Sequence, residues 1–256
     1  MEAQSYRDAP TCNRAGYYQP SPAWRGVLSG VFVLKRIVDS SVLDIVTFPS
    51  GFVFAKKEDS PEGSRAAFYC YNAVTKKMDA VRLSAYLQCK FGENYEKIAK
   101  IVGNYIFCDC VRMPNTGETV VLTPDSKMFY ISRDGELIWN EELCYRDAAV
   151  RDLTADDNCV WCAVPDKASV VRFSPSVKKV YIRVGGVETP TFSEPVGVTK
   201  HANDLYVSCG NMNKIRRIDF QTYSVKDYKV FDEPVFKYYR VRDKEFVRLE
   251  SGLYML

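Results

Sequence analysis

The chain has 256 residues, with 35 lysines and arginines against 32 aspartates and glutamates, and a formal net charge of +3. A charge this close to neutral produces no long-range field that would attract nucleic acid or an anionic membrane. The longest apolar runs, such as residues 30–34 and 105–108, are also too short to cross a bilayer. We therefore expect neither nucleic acid nor a membrane among the partners of this protein.

The first eight residues are polar, and no hydrophobic signal-peptide core follows them. The nine cysteines are odd in number and scattered along the chain, so they do not form a complete disulfide set. In a reducing compartment such cysteines behave as small apolar residues. We therefore expect a cytoplasmic protein with free cysteines, and we expect it to be a monomer.

Residues 1–26 differ in composition from the rest of the chain. They contain three prolines that interrupt any regular element, and four aromatic residues, which disordered tails usually lack. We predict that residues 1–26 form an arm that packs on the body of the protein. The remaining residues, 27–256, are predicted to form a single domain.

From residue 27 onwards the pattern is one of short apolar and β-branched segments, which is typical of strands. Pro-Ser-Gly at 49–51 and Pro-Glu-Gly at 61–63 provide turns between them. The first predicted strand stands alone, and the next four make one four-stranded unit. The five predicted strands are 31–37, 43–48, 52–56, 66–72 and 78–83.

Residues 84–102 are less regular. Two short apolar segments, separated by Gly92, are each compatible with a helix or with a strand, and the pattern does not choose between them. Strands resume beyond residue 104, and Arg133-Asp134-Gly135 is predicted to be the turn of a hairpin. The predicted strands here are 105–112, 119–123, 127–132 and 136–139.

An internal repeat follows. The segment D-L-T-A-D-D-N-C-V-W-C-A-V from Asp152 recurs as G-V-T-K-H-A-N-D-L-Y-V-S-C from Gly197, an offset of 45 residues. The same offset aligns residues 166–174 with 211–219 without a gap. A period of this length built from short strands is a sequence signature of a β-propeller.

The repeat resembles the NHL-type or streptogramin-lyase-type propeller repeat. The matching residues are G-V-T at 197–199, N-D-L-Y-V at 203–207 and N-K-I-R-R-I at 213–218. The resemblance is best over residues 150–231 and implies an all-β, single-domain propeller. It does not imply an activity, because such folds carry many unrelated functions.

The number of blades and the closure of the ring can also be predicted. Counting blade-sized units gives five, or six if residues 84–142 contain two shorter ones; we predict six. The carboxyl-terminal residues contribute only two or three strands. We therefore expect the lone strand at 31–37 to complete the last blade, because closure removes exposed strand edges.

Two enzyme branches of this architecture imply candidate site residues. Streptogramin lyases use a catalytic histidine with a metal ion, but His201, the only histidine, is predicted to lie in an exposed turn and has no second imidazole beside it. The gluconolactonase and regucalcin-like branch holds a divalent cation, such as Ca²⁺, in the central channel through acidic and amide side chains. The corresponding candidates here are Asp152, Asn104, Asn203 and Asp204.

Two further patterns receive structural interpretations. Cys159 and Cys162 form a C-x-x-C motif within a predicted strand, where side chains three apart point to opposite faces, so we expect core and surface positions rather than a metal site. Basic and aromatic residues mix at 237–248, but acidic residues lie among them. We interpret that mixture as alternation on an exposed strand.

We therefore expect a non-catalytic binding or scaffold propeller, without a cofactor, which presents a surface to a protein or a small ligand. The alternative is a divalent-metal-dependent lactonase or hydrolase with its site in the central channel. The absence of a recognisable catalytic set favours the first hypothesis.

Overall fold

The computed structural model describes residues 34–61, 63–189 and 191–256. The predicted arm at 1–26 lies outside these residues. The described chain contains five four-stranded antiparallel sheets, which follow one another as the blades of a β-propeller. The predicted all-β propeller fold is therefore confirmed.

Blade 1 follows an isolated first strand, β1 (Lys35–Asp39), which belongs to the last blade. Tight turns join its four strands in sequence order. The turn before its second strand needs a glycine, because a Cβ on Gly51 would lie 1.9 Å from the carbonyl oxygen of Tyr71. The strands of blade 1 are β2 (Val42–Phe48), β3 (Gly51–Ser60), β4 (Gly63–Asn72) and β5 (Lys77–Ala80).

A helical insert separates blade 1 from blade 2. Helix α1 (Leu83–Phe91) is followed by a single 3₁₀ turn and by helix α2 (Tyr95–Val102). Gly92 and Gly103 end the two helices with φ angles of 76° and 78°, a conformation that favours glycine. The segment whose pattern allowed helix or strand is therefore helical.

Blade 2 and a short hairpin come next. Blade 2 consists of β6 (Asp109–Arg112), β7 (Thr119–Leu122), β8 (Lys127–Ile131) and β9 (Leu137–Glu142). The predicted turn at Asp134-Gly135 joins its last two strands, with Gly135 at a φ of 82°. The hairpin consists of β10 (Cys144–Tyr145) and β11 (Ala148–Ala149).

Blades 3 and 4 are the two copies of the repeat, and they match in detail. In each copy a single 3₁₀ turn links the second and third strands and ends at a left-handed residue, Ala168 or Asn213. Blade 3 consists of β12 (Asp152–Asp156), β13 (Cys159–Val164), β14 (Ser169–Ser174) and β15 (Lys179–Gly185). Blade 4 consists of β16 (Pro195–His201), β17 (Asp204–Cys209), β18 (Lys214–Asp219) and β19 (Val225–Val230).

Blade 5 combines the two ends of the described chain. Its strands are β20 (Val235–Val241), β21 (Lys244–Leu249), β22 (Gly252–Met255) and, as the outermost strand, β1. Strand β1 pairs antiparallel with β22, with Lys35 opposite Met255 and Asp39 opposite Gly252. The amino-terminal strand is thus hydrogen-bonded to the carboxyl-terminal one.

Five apolar clusters join the blades into a ring. Four of them lie directly between successive blades: 2 and 3, 3 and 4, 4 and 5, and 5 and 1. The fifth contains residues of blades 1 and 2 together with Tyr86, Leu87 and Phe91 of α1 and Ile98 and Val102 of α2. The helical insert therefore fills the space between blades 1 and 2.

The prediction of six blades was wrong, and the helical insert explains the difference. Residues 84–142 were expected to contain two short blades if the count was six. They contain one blade, and the remaining residues form α1 and α2, which pack against blades 1 and 2. The helical insert, which packs through apolar side chains, thus occupies the part of the ring that another sheet would need. Within the described residues no helix is long and apolar enough to cross a membrane.

Candidate functional site

A central cavity of about 220 Å³ lies at the middle of the ring. The first strand of every blade contributes to its lining, as does Lys90 of α1. Charged residues of four of these strands also line it, among them Asp44, Asp109, Lys200 and Lys237. The alternation of side chains along a strand accounts for this, since each inner strand directs every second residue towards the channel.

Lys237 joins two carboxylates at this cavity. Its ammonium lies 2.5 Å from Oδ1 of Asp152 and 3.2 Å from Oδ1 of Asp109. Oδ2 of Asp152 accepts a hydrogen bond of 2.6 Å from the backbone N–H of Val198 in blade 4. Asp152 is 2% exposed, whereas the side chains of Lys237 and Asp109 are 21% and 33% exposed. The cluster connects blades 2, 3, 4 and 5.

One ammonium shared by two carboxylates determines the protonation of this cluster. Burial and the neighbouring Asp109 carboxylate raise the pKa of Asp152 well above its usual value. Burial opposes the charge of Lys237, but the carboxylates of Asp109 and Asp152 outweigh it and raise the pKa of the lysine. A single positive charge balances only one of the two negative charges, so the carboxylates of Asp109 and Asp152 compete for the ammonium of Lys237.

A second cluster ties the helical insert to blade 1. The ammonium of Lys90 lies 2.6 Å from Oδ2 of Asp44. The hydroxyl of Tyr86 donates a hydrogen bond to the same oxygen. Burial and the Asp44 carboxylate together raise the pKa of the Tyr86 hydroxyl, which therefore stays protonated as a donor.

A third cluster surrounds Asp156 at the far end of β12. Its Oδ2 accepts hydrogen bonds from Nε1 of Trp161 at 3.1 Å and from Nε of Arg172 at 2.7 Å. Oδ1 lies 3.4 Å from the ammonium of Lys200, which belongs to blade 4. This carboxylate thus also links two blades.

Threonines at the same position of both repeats add uncharged links between inner strands. Oγ1 of Thr154 accepts a hydrogen bond of 3.2 Å from the backbone N–H of Lys200 in blade 4. Oγ1 of Thr199 donates one of 2.5 Å to the carbonyl of Tyr238 in blade 5. In each case the hydroxyl joins its own inner strand to that of the next blade.

The structure does not bring the four candidate metal ligands together. Asp152, at the start of β12, reaches the channel cluster, whereas Asn203 and Asp204 lie at the turn between β16 and β17, beyond the opposite end of the inner strand. Asp204 forms an ion pair of 2.8 Å with Arg217. Asn104 is exposed in the loop after α2. Among the residues that the structure describes, no group of three or more His, Cys, Asp or Glu side chains is placed to hold a metal ion.

Sequence reasoning missed Asp109 and Lys237. Lys237 was assigned to an exposed strand, yet its side chain enters the channel and the following residues, Tyr238 and Tyr239, are buried. The prediction of exposure was wrong because β20 is an inner strand, covered by the neighbouring blades. Asp109 stands between two cysteines, and nothing in that short pattern indicated a charged partner far away in the chain.

The remaining candidates occupy structural positions. Cys159 and Cys162 lie in β13 and are both buried, so the expected surface position of Cys159 was wrong. Burial raises the pKa of Cys108 to about 11, which makes its thiol a poor nucleophile at neutral pH. His201 is half-buried at the end of β16. Burial, followed by the positive charge of Arg240, lowers the pKa of His201.

The fold and this channel define the class of protein as a β-propeller. Comparison with known proteins found no matching family model and no match among curated proteins. Among solved structures, Sqt1 of Saccharomyces cerevisiae is similar over 84% of this chain and 70% of its own, with 12% identity and a TM-score of 0.50.

Two further solved structures are similar at lower TM-scores. Virginiamycin B lyase from Staphylococcus aureus aligns over 87% of this chain and 73% of its own, at 13% identity and a TM-score of 0.44. The computationally designed Ika4 protein aligns over 54% of this chain and 84% of its own, at 13% identity and a TM-score of 0.42. At such identities the similarity concerns the fold alone.

Proposed function

We propose that this protein is a non-catalytic binding or scaffold propeller whose central channel is structural. The observation that supports it is the pairing of the channel carboxylates. Asp44 is paired with Lys90, Asp109 and Asp152 share Lys237, and Asp156 is paired with Arg172. The bonds of Lys237 join blades 2, 3 and 5, that of Lys90 joins the insert to blade 1, and Asp156 also contacts Lys200 of blade 4, so most of these pairs connect separate elements of the ring.

The paired carboxylates leave little for a metal ion to bind. Ca²⁺ takes six to eight oxygen ligands at about 2.3–2.6 Å. Both oxygens of Asp152 are already bonded, one to the ammonium of Lys237 and one to the backbone N–H of Val198. A divalent cation at this place would have to displace the ammonium, and breaking a buried ion pair is costly.

The second candidate is a divalent-metal-dependent lactonase or hydrolase, with Ca²⁺ or a similar ion in the channel. One observation favours it: Asp109 and Asp152, from two different blades, converge on the same point of the cavity. If Lys237 moved away, these two carboxylates would be free to bind a cation.

Thermal melting with and without Ca²⁺, Mg²⁺, Mn²⁺ and Zn²⁺ tests the choice between the two. A ligand that binds only the folded state at 100 times its Kd stabilises it by about 2.7 kcal/mol. We expect no shift for the wild type and a Ca²⁺-dependent rise for Lys237→Met, which leaves the two carboxylates without their ammonium. Lys226→Met, on exposed β19, is the matched control. A saturable rise for the wild type that Asp152→Ala abolishes would favour the metal enzyme, as would metal-dependent hydrolysis of a lactone.

The proposal includes the oligomeric state and the compartment. We propose a cytoplasmic monomer that recognises a protein or a small ligand. The cytoplasmic compartment is supported by the cysteines, since all eight in the described residues are unpaired. Light scattering on a size-exclusion column tests the monomer, and the location of a fluorescent fusion tests the compartment.

A further inference from the structure

A polar groove lies between the helical insert and blade 2. Its volume is about 650 Å³, and we call it the helix-side groove. Glu93 and Asn94 line it from the insert, and Arg112, Arg133 and Asp134 line it from blade 2. A second cavity of about 350 Å³ is lined by the same two arginines and by the turn between β6 and β7. Both arginines are exposed, and both border these two cavities.

The two arginines converge on Gly117. A Cβ placed on this glycine would lie 3.4 Å from Cδ of Arg133 and 3.6 Å from Nη2 of Arg112. Nε of Arg112 donates a hydrogen bond of 3.2 Å to the carbonyl oxygen of Gly117, which fixes the direction of its guanidinium. The side chains of both arginines therefore lie beside Gly117 at one end of the groove.

Within the part of the chain that the structure describes, the groove contains two carboxylates, Glu93 and Asp134, as well as the two arginines. Neither guanidinium forms an ion pair there, although Lys97 nearby is paired with Glu136 at 2.8 Å. Both guanidinium groups are therefore available for charge-assisted hydrogen bonds with an anionic ligand.

The turn that carries Arg133 is held in place by the insert. Nδ2 of Asn94 donates a hydrogen bond of 2.9 Å to the carbonyl of Arg133, and the ammonium of Lys97 donates one of 3.3 Å to that of Asp134. A Cβ on Gly135 would lie 2.8 Å from Cβ of Asn94, so the turn and the insert are in close contact. The backbone that carries Arg133 is thus held by the insert, which limits the positions that its side chain can reach.

The rest of the groove carries acceptors for hydroxyl groups. Glu93 and Asp134 line it, and neither forms an ion pair within the described residues. Carboxylates accept hydrogen bonds from hydroxyls, and the threonine hydroxyl of Thr119 also borders the groove. A volume of this size accommodates a ligand much larger than a bare anion.

We propose that the helix-side groove binds a phosphorylated, hydroxyl-rich small molecule of the sugar phosphate class. The phosphate lies between the guanidinium groups of Arg112 and Arg133, whose planar forks match phosphate oxygens. The hydroxyl groups donate hydrogen bonds to Glu93 and Asp134. This inference rests on the proposed binding function and gives it a site and a ligand class.

Isothermal titration calorimetry with glucose 6-phosphate, inorganic phosphate and glucose tests the proposal on the full chain. We expect glucose 6-phosphate to bind more tightly than phosphate, and glucose to bind at least tenfold more weakly than glucose 6-phosphate. Arg133→Ala should weaken the binding of both phosphate compounds at least tenfold, since charge-assisted hydrogen bonds are lost. Arg133→Lys, which keeps the charge but not the fork, should lie between.

Matched variants separate the two halves of the site. Arg65→Ala, which removes an exposed arginine of blade 1, should bind like the wild type. Glu93→Gln combined with Asp134→Asn should weaken glucose 6-phosphate while leaving phosphate unchanged or stronger. The side chain of Arg133 makes no hydrogen bond within the described chain, so Arg133→Ala should melt within a few degrees of the wild type.

Three results would overturn the proposal: no binding of either phosphate compound, equal binding by the wild type and Arg133→Ala, or no preference for glucose 6-phosphate over phosphate. None of these bears on the channel, which the metal titration tests separately. Release of phosphate from bound glucose 6-phosphate would contradict the non-catalytic function and leave the site itself supported.

Discussion

The ion pair between Asp44 and Lys90 gives the sharpest test of how the ring is held together. The side chain of Lys90 is 1% exposed and that of Asp44 is 14% exposed. Asp44→Ala would leave the ammonium of Lys90 buried without a counterion and the hydroxyl of Tyr86 without its acceptor. Because this pair joins α1 to the inner strand of blade 1, losing it would weaken the contact between the helical insert and the ring.

The expected cost follows from burial. Removing one partner of a buried ion pair destabilises a protein by about 3–5 kcal/mol. For a domain of this size each kcal/mol lowers the Tm by about 2–4 °C, so Asp44→Ala should melt about 6–20 °C below the wild type. Replacing both partners, as in Asp44→Ala with Lys90→Met, should recover a large part of the loss, because no unpaired charge is left inside.

Equilibrium unfolding in urea, followed by tryptophan fluorescence, measures these differences. The matched control is Glu136→Ala, which removes an ion pair with Lys97 whose side chains are 57% and 71% exposed. Exposed pairs contribute about 0–1 kcal/mol, so this variant should resemble the wild type. A loss of less than about 1 kcal/mol for Asp44→Ala, below the range for a buried pair, would refute the reasoning.

Two other predictions concern His201 and Gly197. Because His201 is the only histidine, its imidazole gives a single titrating NMR signal; burial and Arg240 lower its pKa, so the midpoint should fall below the ordinary 6.5. The fold favours the neutral form of this imidazole. His201 therefore contributes stability above pH 6.5, and this stability is lost as the pH falls through the lowered pKa. A titration midpoint at or above 6.5 would contradict this prediction. Gly197→Ala would place a Cβ 2.3 Å from the carbonyl oxygen of Phe236 and should cost about 1–3 kcal/mol in urea unfolding. Gly210→Ala meets only the flexible carboxylate of Glu194 at 3.1 Å and should cost less; equal costs would count against the backbone clash.

The repeat predicted more of the fold than the rest of the sequence did. Its offset aligned whole blades, and the structure reproduces the alignment down to the left-handed residues Ala168 and Asn213. Residues 84–102 could not be assigned, because short apolar segments fit a helix and a strand equally well. The packing of α1 and α2 between blades 1 and 2 decides their conformation, and that contact is not encoded locally.

The channel cluster could be predicted only in part. The strand register predicted from the repeat was enough to place Asp152 towards the channel, because this residue begins an inner strand. Asp109 and Lys237 belong to blades 2 and 5, and they meet Asp152 only when the ring is complete. A sequence without aligned homologues shows the periodicity of each blade, but it does not show which side chains face one another across the channel.

The two repeats carry different residues at one aligned position of their inner strands, and this difference bears on the charge of the channel. In blade 3 this position is Asp152, whose carboxylate reaches the backbone N–H of Val198 in blade 4. In blade 4 it is Gly197, where the backbone approaches that of Phe236 in blade 5 too closely for any side chain. The contact between blades 3 and 4 thus includes a side-chain bridge, and the contact between blades 4 and 5 brings the two backbones together directly. Lysines accompany the carboxylates of this channel: Lys237 pairs with Asp152, and Lys90 pairs with Asp44 beside the helical insert. We propose that the charged groups in this channel serve to join the inner strands of the ring.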